Sequence, residues 1–375
     1  MATDACSAAK RLRLNDDLHW YAYAILRDEH AKEPPLVRVY FSRLENKRQI
    51  SSVMQELSKL LPMEQMNLQH LKRVRQQDII LCRLSDINEQ TINQYLESVG
   101  ISKEIIELLC KNLSQHDVIA QPTVLRWQYE LAQHRWPCKF HPDKYMEALQ
   151  SGDIFSETER AFHTKVMFLL STISNELEAS KPCGLCIDPR TNAVIALAAS
   201  STTINPIMHC AMVLVDFVAR TQVGGAWQKE FEHEFQFASD DDKFNKVNSI
   251  INGVPRRYLE FMQADKRFKD MEIGAEPIRP KSKVIAEHVT QANVDNLEKY
   301  GPYLCTGYDL YFTQEPCLMC GMSLIHSRAR RIYFEKRSTN GALVSRLKLH
   351  ALKKLNHHYE VFECTKSDPR CEKSS

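Results

Sequence analysis

The chain has 375 residues, 43% hydrophobic and 26% charged, with a formal net charge of +2. That length accommodates two or three domains, and the composition is that of a globular protein. A polycation is excluded, so any nucleic-acid surface must come from local clustering, and no apolar run approaches the roughly 18 residues a membrane helix needs.

Residues 1–17, "MATDACSAAKRLRLNDD", read as a polar, disordered tail without the apolar stretch of a signal peptide. The basic "KRLRL" within it fits a solvated tail better than a nuclear signal. The twelve cysteines are scattered, which argues against a disulfide framework and for a mixture of buried thiols and metal ligands.

"PLVRVYF", with Leu36 to Phe41 at its heart, reads as a strand. Ile50, Val53, Met54, Leu57, Leu60 and Leu61 then recur at helical spacing over 45–61. "MNLQHLKRV" (66–74) and "DIILCRL" (78–84) read as two further strands. A helix over 89–100 should end at Gly100, and another covers 101–113. "HDVIA" (116–120) is the candidate closing strand. Strand, helix, two strands and helix are the order of a small ferredoxin-like α+β domain, placed at 18–130. Residues 131–155 read as a linker with aromatic anchors.

Ser156 and Glu159 have capping-box spacing, so a helix should start there and run to 177. "CGLCIDP" and "RTNAVIALAAS" follow as a two-strand hairpin, and a helix spans about 209–220. These open an α/β sheet. Residues 221–300 are charged and punctuated by Pro and Gly, and read as an insertion, helical around 257–270 and partly flexible. The sheet resumes at "YDLYFT" (308–313), followed by a helix over 316–329, a strand at 330–336 and a last strand within 357–364. Residues 365–375 are a polar tail.

Chemistry concentrates at two places in this last domain, 156–364. Cys317 and Cys320 form Pro-Cys-x-x-Cys at a helix start, where free N–H groups and the helix dipole favour thiolate. His209 also opens a helix after a strand. One His and two Cys arriving from two helix starts are the donor set of a zinc deaminase, so Zn²⁺ is the expected cofactor, held by His209, Cys317 and Cys320. Cys183 and Cys186 share the spacing but lack companions, and read as buried or edge thiols; Cys210 reads as packing.

"NPIMHCAMV" and "QEPCLMCGMSLIHSRARRIYF" resemble the cytidine/deoxycytidylate deaminase superfamily, and the tRNA adenosine deaminases in particular. The resemblance implies a three-layer α/β/α fold for 156–364. The family pattern is His-Ala-Glu or His-Cys-Glu, and this chain has His209-Cys210-Ala211. That departure resembles the non-catalytic subunit of the eukaryotic heterodimeric enzyme that acts at the wobble base. It implies a catalytic deaminase subunit as partner, and an N-terminal domain that helps bind tRNA. It also implies residence in the cytoplasm, the nucleus or both.

The missing acid matters because that Glu moves a proton from the zinc-bound water to the base. Ala211 can neither donate nor accept. Asp216, seven residues past His209, stands about two helical turns away and cannot reach the water. No catalytic residue is therefore assigned, and the chain is expected to be inactive alone, its metal kept as scaffold.

Residues 326–354 carry Arg328, Arg330, Arg331, Lys336, Arg337, Arg346 and Lys348, besides Lys353 and Lys354, against a single Glu335. Such a stripe can neutralise tRNA phosphates. Lys72, Arg73 and Arg75 form a second, weaker patch. Two other readings stay open: an active deaminase using another acid such as Glu315, and a zinc-stabilised tRNA-binding module without a deaminase partner.

Overall fold

A computed structural model describes residues 19–87, 89–222, 224–227, 253–275 and 303–366. The expected tail at 1–17, most of the 221–300 insertion and nearly all of the 365–375 tail lie outside the described residues. The chain is a mixed α/β protein that divides into two compact units, Arg27–Ser151 and the remainder. The strand β1 (Tyr21–Ala24) belongs with the end of the chain, not with the N-terminal unit expected to begin at 18.

The smaller unit runs through β2 (Leu36–Arg43), α1 (Ile50–Leu60), β3 (Val74–Arg75), β4 (Asp78–Arg83), α2 (Ile92–Val99), α3 (Lys103–Cys110) and β5 (Leu113–Ile119). Its sheet has the order β3-β4-β2-β5, antiparallel throughout. The helical spacing over 45–61 forms as expected, with Val53 and Leu57 buried and Pro62 directly after the last turn. Thr91 and Gln94 close a capping box on α2, and Gly100 ends it at φ +94°, where a side chain would be strained.

Residues 66–74 are the exception. Asn67 turns left-handed at φ +54°, and Leu68 N–H and Leu71 N–H donate to the carbonyls of Met63 and Leu68. Local turns thus consume the backbone groups at the start of this stretch; further on only an isolated bridge between Leu71 and Cys138 and the short strand Val74–Arg75 pair with neighbours. The expected linker at 131–155 also differs. Two helices, α4 (Arg126–Arg135) and α5 (Lys144–Ser151), occupy this stretch, so the unit extends to Ser151.

In the larger unit α6 (Glu157–Glu176) starts at the predicted box: Ser156 Oγ accepts from Glu159 N–H, and the Glu159 carboxylate accepts from Ser156 N–H. The hairpin β6 (Cys183–Asp188) and β7 (Ala193–Ala199), the helix α7 (Cys210–Thr221), and the series β8 (Asp309–Gln314), α9 (Leu318–His326), β9 (Arg331–Lys336) and β10 (Glu360–Thr365) complete it. The sheet order is β1-β10-β9-β8-β6-β7, with β8, β9 and β10 parallel and the other pairings antiparallel.

Alternation along these strands sets the layers. Tyr311, Tyr333 and Phe362 stack across β8, β9 and β10, with centroids 4.4 and 4.9 Å apart, on the face where His163 of α6 reaches Tyr311. Leu310, Phe312, Ile332, Phe334 and Val361 point the other way, into one apolar cluster with Val213, Leu214 and Phe217 of α7 and Leu324 and Ile325 of α9. Within the insertion, residues 253–275 pack on β7, and the helix expected around 257–270 forms over Arg256–Ala264. Gly253 and Ile273 bridge to Ala196 and Val194 of β7, and the helix α8 (Arg256–Ala264) buries Tyr258, Leu259 and Met262. Among the described residues no helix is long and apolar enough to cross a membrane.

Candidate metal centre

Strand β7 ends in a turn that delivers His209 as the N-cap of α7, in extended conformation at φ −64°, ψ 152°. Cys317 is the N-cap of α9, again extended at φ −72°, ψ 175°. Neither side chain caps its own helix by a hydrogen bond, so both remain free to serve as ligands. Close seating of α7 on the sheet depends on Gly184 in β6. A Cβ there would meet Phe312 at 2.8 Å and Cys210 Sγ at 2.9 Å. Cys210 is therefore a packing residue, as expected, and Cys183 and Cys186 are buried in β6.

The ligand atoms of His209, Cys317 and Cys320 lie within 4.8 Å of one another, and Cys317 Sγ is 3.5 Å from His209 Nδ1. A hydrogen bond from Cys320 brings the Cys317 thiol down to about 5, with His209 and the Cys320 N–H helping. The same bond, with burial, pushes the Cys320 thiol up. One imidazole and two sulfurs converging at two helix starts fit zinc, whose preferred donors are nitrogen and thiolate.

Ala211, two residues past His209, sits in the buried first turn of α7. Asp216 faces the other end of α7 and accepts from Ala226 N–H at 2.5 Å. Glu315 is also committed elsewhere. Its carboxylate accepts from the N–H groups of Ser338, Leu343, Val344 and Ser345 at 2.6 to 3.2 Å, and from the Ser345 hydroxyl. Burial pushes this carboxyl up, but the bonds from Ser345, Val344 and Ser338 outweigh it and leave it below its ordinary value. Glu315 is a staple that holds the 338–345 loop, not a spare acid. Only the "NGALVS" stretch hinted at this: Gly341 lets the carboxylate pass, because a Cβ there would stand 2.0 Å from it.

The basic stripe looks different once folded. Arg330 makes a two-pronged pair with Asp309 at 2.8 Å, Arg337 does so with Glu363 at 2.7 and 2.8 Å, and Arg331 meets Glu360 at 2.7 Å. Lys348 donates to the Leu26 carbonyl at 3.0 Å. Arg328, with φ +61°, lies over the Tyr303 ring at 5.6 Å. Lys336 and Arg346 are exposed. In the smaller unit Lys72 is exposed, and Arg75 stacks 4.2 Å over Trp136 while bonding Asp78. Arg73 is not on the surface. Its guanidinium is buried and donates to the carbonyls of Leu57, Leu61 and Ile80, and burial draws it down to about 10.

No family model matches the chain. Curated relatives do. A zebrafish (Danio rerio) protein named probable inactive tRNA-specific adenosine deaminase-like protein 3 is 29% identical over 380 residues, covering 95% of each chain. The Arabidopsis thaliana protein named tRNA-specific adenosine deaminase TAD3 is 24% identical over 382 residues, 88% of this chain and 91% of its own. This chain is a homologue of the TAD3-type tRNA-specific adenosine deaminase proteins. A solved structure from work on A-to-I editing by tRNA:A34 deaminases is 14% identical, covers 55% of this chain and 98% of its own, and superposes with a TM-score of 0.26. The relationship to the TAD3-type proteins spans both units, including the N-terminal one, where only domain order pointed to it.

Proposed function

We propose that this chain is the non-catalytic subunit of a heterodimeric tRNA-specific adenosine deaminase, paired with a catalytic subunit that converts adenosine to inosine at the wobble position. The observation that carries this reading is the pairing of an assembled His209–Cys317–Cys320 donor set with Ala211 where the proton-shuttling acid belongs. The names borne by the relatives support the same conclusion.

In this reading His209, Cys317 and Cys320 hold zinc. When bound there, zinc supplies a cross-link between the starts of α7 and α9, and so contributes folding energy. The protein's own residues do the rest. The two N-cap positions bring His209 and Cys317 together, Gly184 lets α7 seat, and Glu315 fixes the loop beside Cys317. The zinc unit is a cytidine-deaminase-like three-layer α/β/α domain, and the smaller one a ferredoxin-like domain that contributes to tRNA binding. Lys72, Arg328, Lys336 and Arg346 are exposed cations suited to phosphate, with the half-buried Arg75 and Lys348 in the same sequence patches. The working compartment is the cytosol, the nucleus or both.

Two measurements test this. The purified chain should carry about one zinc per molecule by elemental analysis, lost in the Cys317→Ser variant. Co-expressed with a catalytic deaminase subunit, it should elute as a one-to-one complex. A metal-free folded chain, or a monomer in the presence of that subunit, contradicts the reading.

A further inference from the structure

On the opposite face of the sheet from the metal centre, a cavity of about 350 Å³ opens between β1 and the first turns of α6. Trp20, Tyr21, Tyr23 and Phe155 contribute aromatic walls. Two buried rings in its lining carry a polar atom, His163 and Trp20. His163 is 7% exposed, and its Nδ1 lies 2.7 Å from the Tyr311 hydroxyl, which is itself sealed under α6. That bond occupies Nδ1, so Nε2 is the ring nitrogen left for a ligand. A second buried donor in the lining, Trp20 Nε1, has no hydrogen-bond partner.

This composition restricts the occupant. Flat aromatic walls favour a planar ring that can stack. His163 is neutral near pH 7, because burial, with Arg331 and Arg330 nearby, holds its pKa down to about 4. A neutral imidazole nitrogen can donate or accept a hydrogen bond. Buried among apolar walls, it suits a ligand whose enclosed part is uncharged and carries a hydrogen-bonding edge, because an isolated charge there would lose its solvation. Charge stands at the mouth, where Glu157 and Arg160 are exposed, Arg160 3.6 Å from Asp153, at Lys366, whose ammonium lies 4.9 Å from the Trp20 ring, and behind the Phe155 wall, where Arg331 lies 5.6 Å from the ring. The volume exceeds what a phenol or an indole side chain needs and reaches the range of small-ligand sites.

We infer that this cavity is a binding site for a nucleobase, stacked on the β1 and Phe155 aromatics with its polar edge on His163 and its sugar-phosphate at the Arg160 rim. Unstacked bases held between aromatic side chains are the usual way proteins read single-stranded RNA. The choice of a base over other planar amides rests on the proposed tRNA function. The site itself rests on the geometry.

The test uses the full chain without a deaminase partner. Adenosine, guanosine, cytidine and uridine are titrated while the His163 imidazole signals are followed by NMR, assigned through His163→Gln. The variant Ala161→Trp plugs the mouth from an exposed position on α6, so the core is left intact. Tyr21→Ala removes one wall. At least one nucleoside should shift the His163 signals saturably. Tyr21→Ala should weaken that binding about tenfold, the scale of one lost base–aromatic stack. Ala161→Trp should abolish it while melting temperature and zinc content stay unchanged. The inference is overturned if no nucleoside shifts His163, if Ala161→Trp leaves the shifts intact, or if only N-acetyl-tyrosinamide binds, which would mark a protein-docking pocket. Because no partner and no inosine are involved, these outcomes are independent of whether the chain serves a deaminase.

Discussion

Cys317 Sγ lies 3.5 Å from His209 Nδ1, across 108 positions of sequence. The two residues cap different helices, and the seating of α7 and α9 side by side on one face of the sheet brings them together. A metal at this point ties the hairpin half of the domain to the half that follows the insertion. Cys320→Ser should therefore lose the metal and lower the melting temperature by on the order of 10 °C. Calorimetry with and without a chelator measures this. An unchanged melting temperature after chelation would deny the zinc a structural role.

Glu315 predicts a more local effect. Replacing it with Gln removes the charge that four N–H groups and the Ser345 hydroxyl share. Hydrogen bonds to a buried charge contribute strongly, so the loss should be about 2–4 kcal/mol in urea unfolding. The folded carboxyl titrates below its ordinary value of 4.5. Its contribution is complete above that value and fades as pH falls through the folded one. Glu315→Gln should flatten that part of the acid limb.

Gly341→Ala should act through the same contact, since its Cβ would sit 2.0 Å from the Glu315 carboxylate. The two substitutions together should cost less than their sum, a coupling of about 1 kcal/mol or more in a double-mutant cycle. Strict additivity would mean that the loop relaxes independently of the staple.

His163 sets a second pH dependence with the opposite starting point. Its folded pKa is down to about 4, against an ordinary 6.5. Stability is full above pH 6.5 and falls as pH drops towards 4, because the unfolded state takes up the proton first. The total is about 3 kcal/mol. His163→Gln should remove this slope from a pH series of denaturant midpoints; a slope that persists assigns it to another group.

The arginines separate fold from RNA contact. Arg73→Ala should cost about 3 kcal/mol, because it takes the guanidinium from the Leu61 carbonyl past the end of α1 and removes the further bonds to Leu57 and Ile80. Lys336→Ala and Arg346→Ala should leave stability within about 0.5 kcal/mol and lower the salt slope of tRNA binding by about one each. Binding assays over a salt series distinguish the two classes.

These contrasts mark where the sequence could be read and where it could not. The Ser156–Glu159 box, Gly100 at the end of α2, and the Cys317–Cys320 spacing are local signals, and each forms as the chain order implies. The basic stripe at 326–354 was counted against its neighbours in sequence, yet Asp309, Glu360 and Glu363 reach it only across strands. Strand β1 pairs with β10 at Tyr21↔Thr365, a contact that no local pattern announces. Residues 66–74 differ for another reason. Their apolar residues fit a strand, but Asn67 and the surrounding turns bury Met66 and Leu68 without one, and extended pairing begins only at Leu71.

The most direct test of the central claim is inosine formation on a substrate tRNA in three preparations: this chain alone, a catalytic deaminase subunit alone, and the two co-expressed. Inosine should appear only with the pair, and should vanish when the partner's catalytic Glu is changed to Ala. Inosine made by this chain alone would contradict the account, and would require an acid near His209, Cys317 and Cys320 other than Glu315 or Asp216.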